Sequence, residues 1–129
     1  DSLKLANRIN IISNQEEKKQ KIFLQVNTEG DLNKHGFSPQ EIVRAANEIA
    51  EMKDISLIGI MTIPPNNISK VNLQSIYKET RKIRDTVQMS IEKCCSNLSM
   101  GMSNDYEIAI SEGATHIRLG TALFGERPQ

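Results

Sequence analysis

Ser103 and the pair Gly120–Thr121 are the residues whose types and positions most favour chemistry in this sequence of 129 residues. Each follows a short apolar run and opens a segment with helical character. A hydroxyl beside the free N–H groups of a helix start, at the positive end of the helix dipole, favours an anion. Glycine permits close approach of the backbone to a ligand. Together these residues predict a phosphate-binding site; the alternative for Ser103 alone is a plain helix N-cap.

Arg118 is a second candidate, because it lies between Ile117 and Leu119 in an otherwise apolar run. Strand alternation points its side chain away from both neighbours, and in a barrel it would face the interior. A cation there requires an acceptor or an anion. The alternative is a salt bridge to Glu112 or Glu107 on the outer face of the strand.

Four apolar runs predict the strands that position these residues, at 21–27, 55–61, 97–101 and 115–120. Helical spacing predicts helices at 5–13, 73–93 and 103–112, the last ended by Gly113, and the sequence TALFG begins a short helical turn. A capping box of Ser38 and Glu41, with Pro39 between them, starts one more helix.

This alternation of helices and strands is typical of right-handed βαβ units and a parallel sheet. Four strands are half of the eight that a (β/α)8 barrel requires, so the pattern predicts half a barrel or a small open sheet. No G-x-G-x-x-G follows the first strand, which argues against a dinucleotide-binding unit.

Composition limits the range of partners. Sixteen basic and sixteen acidic side chains balance, so no net charge favours nucleic acid or an anionic membrane. No apolar run approaches the roughly 20 residues that span a bilayer, and the first ten residues do not resemble a signal peptide. The expectation is a soluble cytoplasmic protein, with an organelle left open.

Metal binding and catalysis have little support in the residue pattern. The adjacent Cys94 and Cys95 suit a reduced, buried or half-buried pair, and His35 and His116 have no further ligands arranged around them. Lys34 and His35 are typical of a solvated turn, and the sequence shows no Ser/His/Asp order, Cys/His pair, H-E-x-x-H motif or P-loop. The residues predict no catalytic group and no metal.

Four motifs in order, VNTEGDLNKHGF, IGIMTIP, LSMGMSNDYEIAI and GATHIRLGTALFGER, resemble the C-terminal half of the pyridoxal phosphate homeostasis proteins. That family is similar to the N-terminal barrel of alanine racemases and holds pyridoxal 5'-phosphate (PLP) in a single TIM barrel of fold-type III. In the loop after the first strand, Gly30, Lys34, His35 and Gly36 match the family pattern, while Glu29, Asp31, Leu32 and Asn33 differ.

The resemblance implies that residues 1–129 are the C-terminal half of one PLP-binding domain. It implies Ser103, Gly120 and Thr121 at the cofactor phosphate, Arg118 near the ring or the phosphate, and Asn27 lining the cavity. The lysine that forms the Schiff base is expected in the absent N-terminal half. An incomplete barrel exposes strand edges, which predicts a dimer or higher oligomer.

Three functions remain open at this point. The leading hypothesis is a non-enzymatic PLP-binding protein that acts in intracellular PLP homeostasis, with this chain as the phosphate-binding side. The second is a fold-type III PLP enzyme of the amino acid racemase kind. The third is a phosphate-binding α/β domain unrelated to PLP.

Overall fold

A computed structural model of the chain describes residues 1–31 and 34–128. Helices and strands alternate along it in the order that the hydrophobic pattern predicts. The elements are α1 (Leu3–Gln15), β1 (Gln20–Gln25), α2 (Ile42–Ala50), β2 (Ile55–Met61), α3 (Lys70–Ile91), β3 (Asn97–Met102), α4 (Tyr106–Ser111), β4 (His116–Arg118) and α5 (Thr121–Phe124).

The four strands form one parallel sheet in the order β1-β2-β3-β4. The sheet is strongly curved, as a contact between its outermost strands shows. The rings of Phe23 on β1 and His116 on β4 meet edge to face with centroids 5.2 Å apart. These residues belong to the two outermost strands, so their contact crosses the concave side of the sheet. A curved sheet of four consecutive βα units is half of the strand complement of a (β/α)8 barrel.

The core lies between the convex face of the sheet and the helices that cover it. All seven α3 residues that the helical spacing places on the inner face are buried: Leu73, Ile76, Tyr77, Thr80, Ile83, Val87 and Ile91. The near-continuous apolar run of β2 is typical of a strand covered on one side by helices and on the other by a barrel interior. Burial of these faces holds α2, α3 and α4 against the strands.

The capping box that starts the second helix forms as predicted, although the regular helix begins four residues later, at Ile42. The Ser38 hydroxyl accepts from Glu41 N at 3.3 Å, and the Glu41 carboxylate accepts from Ser38 N at 3.3 Å. Ser38 O accepts from both Glu41 N and Ile42 N at 3.1 Å, and residues 39–41 form a turn that precedes the regular helix.

Two predicted boundaries near the candidate site are wrong. The fourth helix begins at Tyr106 rather than Ser103, and β4 covers only His116–Arg118. Residues 103–105 form a turn instead, because Asp105 Oδ1 accepts from Met102 N and Asp105 N donates to Met102 O. Gly101, just before this turn, has a φ of +100°, and a Cβ there would meet Ala109 Cβ at 2.6 Å, so α4 packs closely on the end of β3.

The prediction for the cysteines was half right. Cys95 is fully buried, whereas Cys94 is exposed. Within the described ranges, no helix combines the length and the apolarity needed to cross a bilayer. The same ranges contain no cluster of three histidine, cysteine or carboxylate side chains suited to a metal ion.

Candidate functional site

Ser103 and the start of α5 meet at the carboxyl edge of the sheet. The Ser103 hydroxyl accepts from Gly120 N at 3.2 Å and from Ala122 N at 3.0 Å, across 17 and 19 residues of sequence. The turn after β3 and the turn after β4 are thereby linked through one oxygen atom. Ser103 is therefore not the N-cap of the helix that follows it; its hydroxyl caps the helix after the next strand.

A second set of contacts fixes the turn that carries Ser103. Asp105 Oδ1 accepts from Met102 N at 2.6 Å, and Asp105 N donates to Met102 O at 3.0 Å. The four residues thus close on themselves through one side-chain and one backbone hydrogen bond, in the manner of a turn stabilised by aspartate. This closure orients the Ser103 hydroxyl toward α5.

Gly120 faces open space. A Cβ placed there would find no heavy atom within 4 Å, and Gly120 is exposed with a φ of −117°. Glycine is therefore not required by packing or by backbone conformation in this chain, and the space beside its N–H remains available to a ligand. Thr121, the first residue of α5, follows Gly120 and is also exposed, so a ligand beside Gly120 can approach it.

Arg118 crosses the strand ends, as its alternation in β4 predicts. Its Nη1 donates to the Ser99 hydroxyl at 2.7 Å and its Nη2 donates to Thr62 O at 2.9 Å. The guanidinium thus joins β4 to β3 and to the end of β2. The alternative salt bridge to Glu112 does not form, because Glu112 instead pairs with Arg81 at 3.4 Å and accepts from Gln74 at 2.9 Å.

Three ionisable groups lie close together behind this edge. Burial lowers the pKa of the Arg118 guanidinium, while Tyr77 and Asp105 oppose that change. Burial raises the pKa of Tyr77 well above its ordinary value; Asp105 adds to the rise and Arg118 opposes it. Arginine keeps its charge under these conditions. The site therefore holds a fixed positive charge that is partly shielded from water.

The loop after β1 lies at the same edge of the sheet and forms a small cavity with Thr62 and Pro64. The Asn27 side chain lines it, with its Nδ2 donating to Asp31 O at 2.7 Å. Lys34 also lines it, and its buried Nζ has no hydrogen-bond partner among the described residues. Leu32 and Asn33, two positions where this loop departs from the family pattern, lie outside the described residues.

His35 also lines this cavity, but from its solvent side. Its side chain is 84% exposed and its Nδ1 lies 3.5 Å from the Asp1 carboxylate. That position agrees with a solvated turn and gives the imidazole no buried environment for acid–base chemistry.

Sequence reasoning missed the residues that support the predicted ones. Ser99 and Thr62 accept the Arg118 donors, Asp105 closes the turn, and Ala122 provides the second N–H to Ser103. Ser99 was detectable as a polar residue in an apolar strand, whereas Thr62 accepts through its backbone carbonyl and gives no side-chain signal. Ala122 carries no side-chain signal, because its backbone makes the contact.

Four consecutive parallel βα units on a curved sheet define the class of (β/α)8-barrel folds. The family model of the alanine racemase N-terminal domain matches residues 1–128, and the chain belongs to that family. The resemblance inferred from the motifs is thereby confirmed.

Relatives and solved structures agree with this assignment. A pyridoxal phosphate homeostasis protein of Aquifex aeolicus is 37% identical over 108 residues, which are 84% of this chain and 47% of that protein. PipY of Synechococcus elongatus superposes with a TM-score of 0.91 without PLP and 0.87 with PLP bound, at 32% and 30% identity. The superpositions cover 97% of this chain and 59% and 58% of PipY.

An alanine racemase of Clostridium difficile superposes with a TM-score of 0.77 at 21% identity, covering 99% of this chain and 35% of the enzyme, which shows a shared fold. The chain spans about half the length of the curated relatives it matches.

Proposed function

We propose that this chain is the phosphate-binding side of a protein that binds PLP without catalysing a reaction and acts in PLP homeostasis. The observation that carries the proposal is the Ser103 oxygen, which meets two backbone N–H groups beside the open space at Gly120. The relatives named as PLP homeostasis proteins and the PLP-bound structure of PipY support the choice of ligand.

A phosphate group fits the donors that converge here. Gly120 N and Ala122 N donate to the Ser103 oxygen, and both N–H groups and the Ser103 O–H are donors that an anion can use. The accessible Thr121 hydroxyl adds a fourth donor at the start of α5. Hydrogen bonds to an ionised acceptor are stronger than neutral ones, so a phosphate competes well for these groups.

Arg118 contributes a positive charge on the same edge of the sheet. Two of its donors are used by Ser99 and Thr62, so the guanidinium is held in place before any ligand arrives. A fixed cation favours either the phosphate or the ring of the cofactor without the cost of ordering a free side chain. We leave the choice between those two contacts to experiment.

Bound PLP supplies an aldehyde that reacts with a lysine amine, and we place that lysine outside these 129 residues, in an N-terminal half of the same domain. Within this chain the residues serve to bind and orient the phosphate. No catalytic role is assigned to any of them, and the protein is proposed to be non-enzymatic and cytoplasmic.

The test is PLP binding by this chain, followed by absorbance and by competition with inorganic phosphate and with pyridoxal, which lacks the phosphate. Ser103→Ala is expected to weaken PLP and phosphate binding about fivefold, the effect of one lost hydrogen bond. Ser111→Ala is the matched control, because the Ser111 hydroxyl donates within α4 to Ile108 O, away from the site.

Borohydride reduction and peptide mapping place the covalent link. With the full-length Aquifex aeolicus relative as reference, we expect labelling at a lysine in the part that this chain does not span, and no defined labelled lysine in this chain. Labelling at Lys34 would contradict the proposed position. Alanine racemisation by the chain would contradict the non-enzymatic role, and equal competition by phosphate and PLP would favour a phosphate site unrelated to the cofactor.

We also propose that two copies of this chain associate through their sheet edges. Among the described residues, β4 has one edge without a neighbouring strand, and the outer edge of β1 is paired only at its carboxyl end, where Phe37 N donates to Gln25 O at 2.8 Å. Exposed apolar side chains lie on β4 and around it: Ile110, Ile117, Leu123 and Phe124. Pairing β4 of one copy with β1 of the other covers these edges and supplies the eight strands of a closed barrel.

Light scattering after size exclusion tests this association. We expect a dimer, and we expect Ile117→Lys to give a monomer because a charge at the edge opposes pairing. Met89→Lys, at an exposed apolar position on α3, is the control and should leave the dimer intact. A well-folded monomeric parent chain would refute the association.

A further inference from the structure

Asp105 is the last residue before α4 and occupies the position at which an aspartate ordinarily caps a helix. Its backbone serves as a cap, because Asp105 O accepts the first hydrogen bond of the helix from Ala109 N at 3.2 Å. Its side chain, however, makes no capping hydrogen bond to the helix. The carboxylate of Asp105 therefore has a use other than the start of α4.

The Asp105 carboxylate reaches back to the end of β3. Its Oδ1 accepts from Met102 N at 2.6 Å, a short contact of the kind that forms between a charged acceptor and an N–H donor. The acid of a capping box reaches back over three residues in the same way, as Glu41 does to Ser38 N in this chain. Asp105 N donates in return to Met102 O at 3.0 Å, which closes residues 102–105 as a β-turn.

Met102 connects this turn to the candidate site. It is the last residue of β3 and pairs with Arg118 of β4, after a shift in the register of the two strands. Met102 and Ser103 share a planar peptide bond, so a fixed position of Met102 limits the directions open to the Ser103 side chain. That hydroxyl accepts from Gly120 N at 3.2 Å and from Ala122 N at 3.0 Å. The carboxylate at the start of α4 is thus linked, through one turn, to two N–H groups beyond β4.

We infer that Asp105 is a positioning residue for the phosphate site: its carboxylate fixes Met102 N and thereby holds the Ser103 hydroxyl against the two N–H groups at the start of α5. This inference rests on the proposed function for the identity of the ligand. In this role Asp105 acts as a hydrogen-bond acceptor. Its negative charge is not required, because a like charge close to a phosphate repels the ligand.

Asp105→Ala and Asp105→Asn in the full chain test the inference, because alanine removes the acceptor and asparagine keeps an acceptor oxygen without the charge. In the alanine variant we expect amide hydrogen exchange at Met102 to become about tenfold faster, as for a lost hydrogen bond to a charged group. Exchange at Gly120 and Ala122 should also accelerate, and PLP and inorganic phosphate should bind about fivefold more weakly. In the asparagine variant each of these quantities should stay within about twofold of the parent chain.

Glu107→Ala is the matched control. Glu107 is an exposed acid in the first turn of α4, two residues from Asp105, where its charge favours the positive end of the helix. This variant should neither accelerate exchange at Gly120 and Ala122 nor weaken ligand binding, even where it lowers the urea midpoint. If Asp105→Ala lowers the urea midpoint but leaves exchange at Gly120 and Ala122 unchanged, Asp105 serves only the local fold and the inference is wrong.

The two proposals fail separately. If the parent chain binds neither PLP nor phosphate, the proposed function fails, and exchange at Gly120 and Ala122 still decides whether Asp105 holds Ser103 in place. Ser103→Ala completes a double-mutant cycle: adding Asp105→Ala to it should cause no further loss of affinity. A further loss as large as that in the parent chain would mean that Asp105 acts without Ser103 and would overturn the inference. Failure of Asp105→Asn to preserve affinity would overturn it too, because the charge rather than the geometry would then be what matters.

Discussion

Arg118 Nη1 lies 2.7 Å from the Ser99 hydroxyl, and this contact ties the short last strand to the centre of the sheet. β4 has only three residues, so backbone pairing alone holds it weakly. The second donor of Arg118 reaches Thr62 O at 2.9 Å, beyond the end of β2. One side chain therefore fixes three strand ends at the edge where the candidate site lies.

Replacing Arg118 with methionine should lower the free energy of unfolding by about 1 to 2 kcal/mol, because Ser99 and Thr62 each lose a partner. Urea denaturation followed by circular dichroism measures this change. Arg44→Met on the exposed face of α2 is the control and should cost less than about 0.5 kcal/mol. Equal costs for both variants would show that the Arg118 contacts contribute no stability.

Gly101→Ala should destabilise the chain by about 2 kcal/mol or more, because two penalties add at this position. The added Cβ meets Ala109 Cβ at 2.6 Å, and the φ of +100° is unfavourable for alanine. Thermal unfolding gives the measurement. Gly30→Ala separates the two penalties, since Gly30 has a φ of +67° and open space around it, and it should cost about 1 kcal/mol.

The long helix α3 could be predicted almost completely, since six apolar residues and Thr80 recur at helical spacing and all seven are buried. The start of α4 could not be predicted from Ser103. That residue type caps helices often, but here its partners are 17 and 19 residues away, and no local pattern encodes a contact at that distance. The hydrogen bonds between Asp105 and Met102 close a turn before the helix begins.

The candidate site could also be predicted only in part from the sequence. Alternation along β4 predicted the direction of the Arg118 side chain, because period-two geometry is a local property. Its acceptors Ser99 and Thr62 depend on strand register, which residue types alone do not specify. The complete burial of Tyr77 follows from its place in the apolar stripe of α3, which marks it as a core residue.

The two adjacent cysteines should differ in reactivity. Cys94 is exposed and Cys95 is buried, and burial raises the pKa of the Cys95 thiol to about 11. Because the thiolate is the reactive form, a disulfide reagent at pH 8 should modify one thiol in the folded chain and two in urea. Cys94→Ser should abolish the fast reaction. A rapid second modification under native conditions would contradict the burial of Cys95.

We expect the buried Cys95 thiol to make the folded chain less stable at alkaline pH. Cys95 has a pKa near 11 in the folded chain and near its ordinary value of 9.0 when unfolded. Between those values the unfolded chain has released the proton and the folded chain still holds it, so the free energy of unfolding falls as pH rises. The contribution is fully present below pH 9 and is lost by about pH 11, at most about 1.4 kcal/mol per pH unit.

Urea titrations from pH 8 to pH 10.5 measure that slope, and Cys95→Ala is the variant that should reduce it. We expect the urea midpoint of the Cys95→Ala variant to be lower at pH 8, because a buried side chain is truncated. That midpoint should fall less steeply with pH than the midpoint of the parent chain. Burial also raises the pKa of Tyr77, so Tyr77→Phe should remove a separate part of the slope above pH 10. Each variant deletes a group whose ionisation the folded chain resists. If the urea midpoint fell equally steeply with pH in the parent chain and both variants, neither the Cys95 nor the Tyr77 ionisation would be coupled to folding.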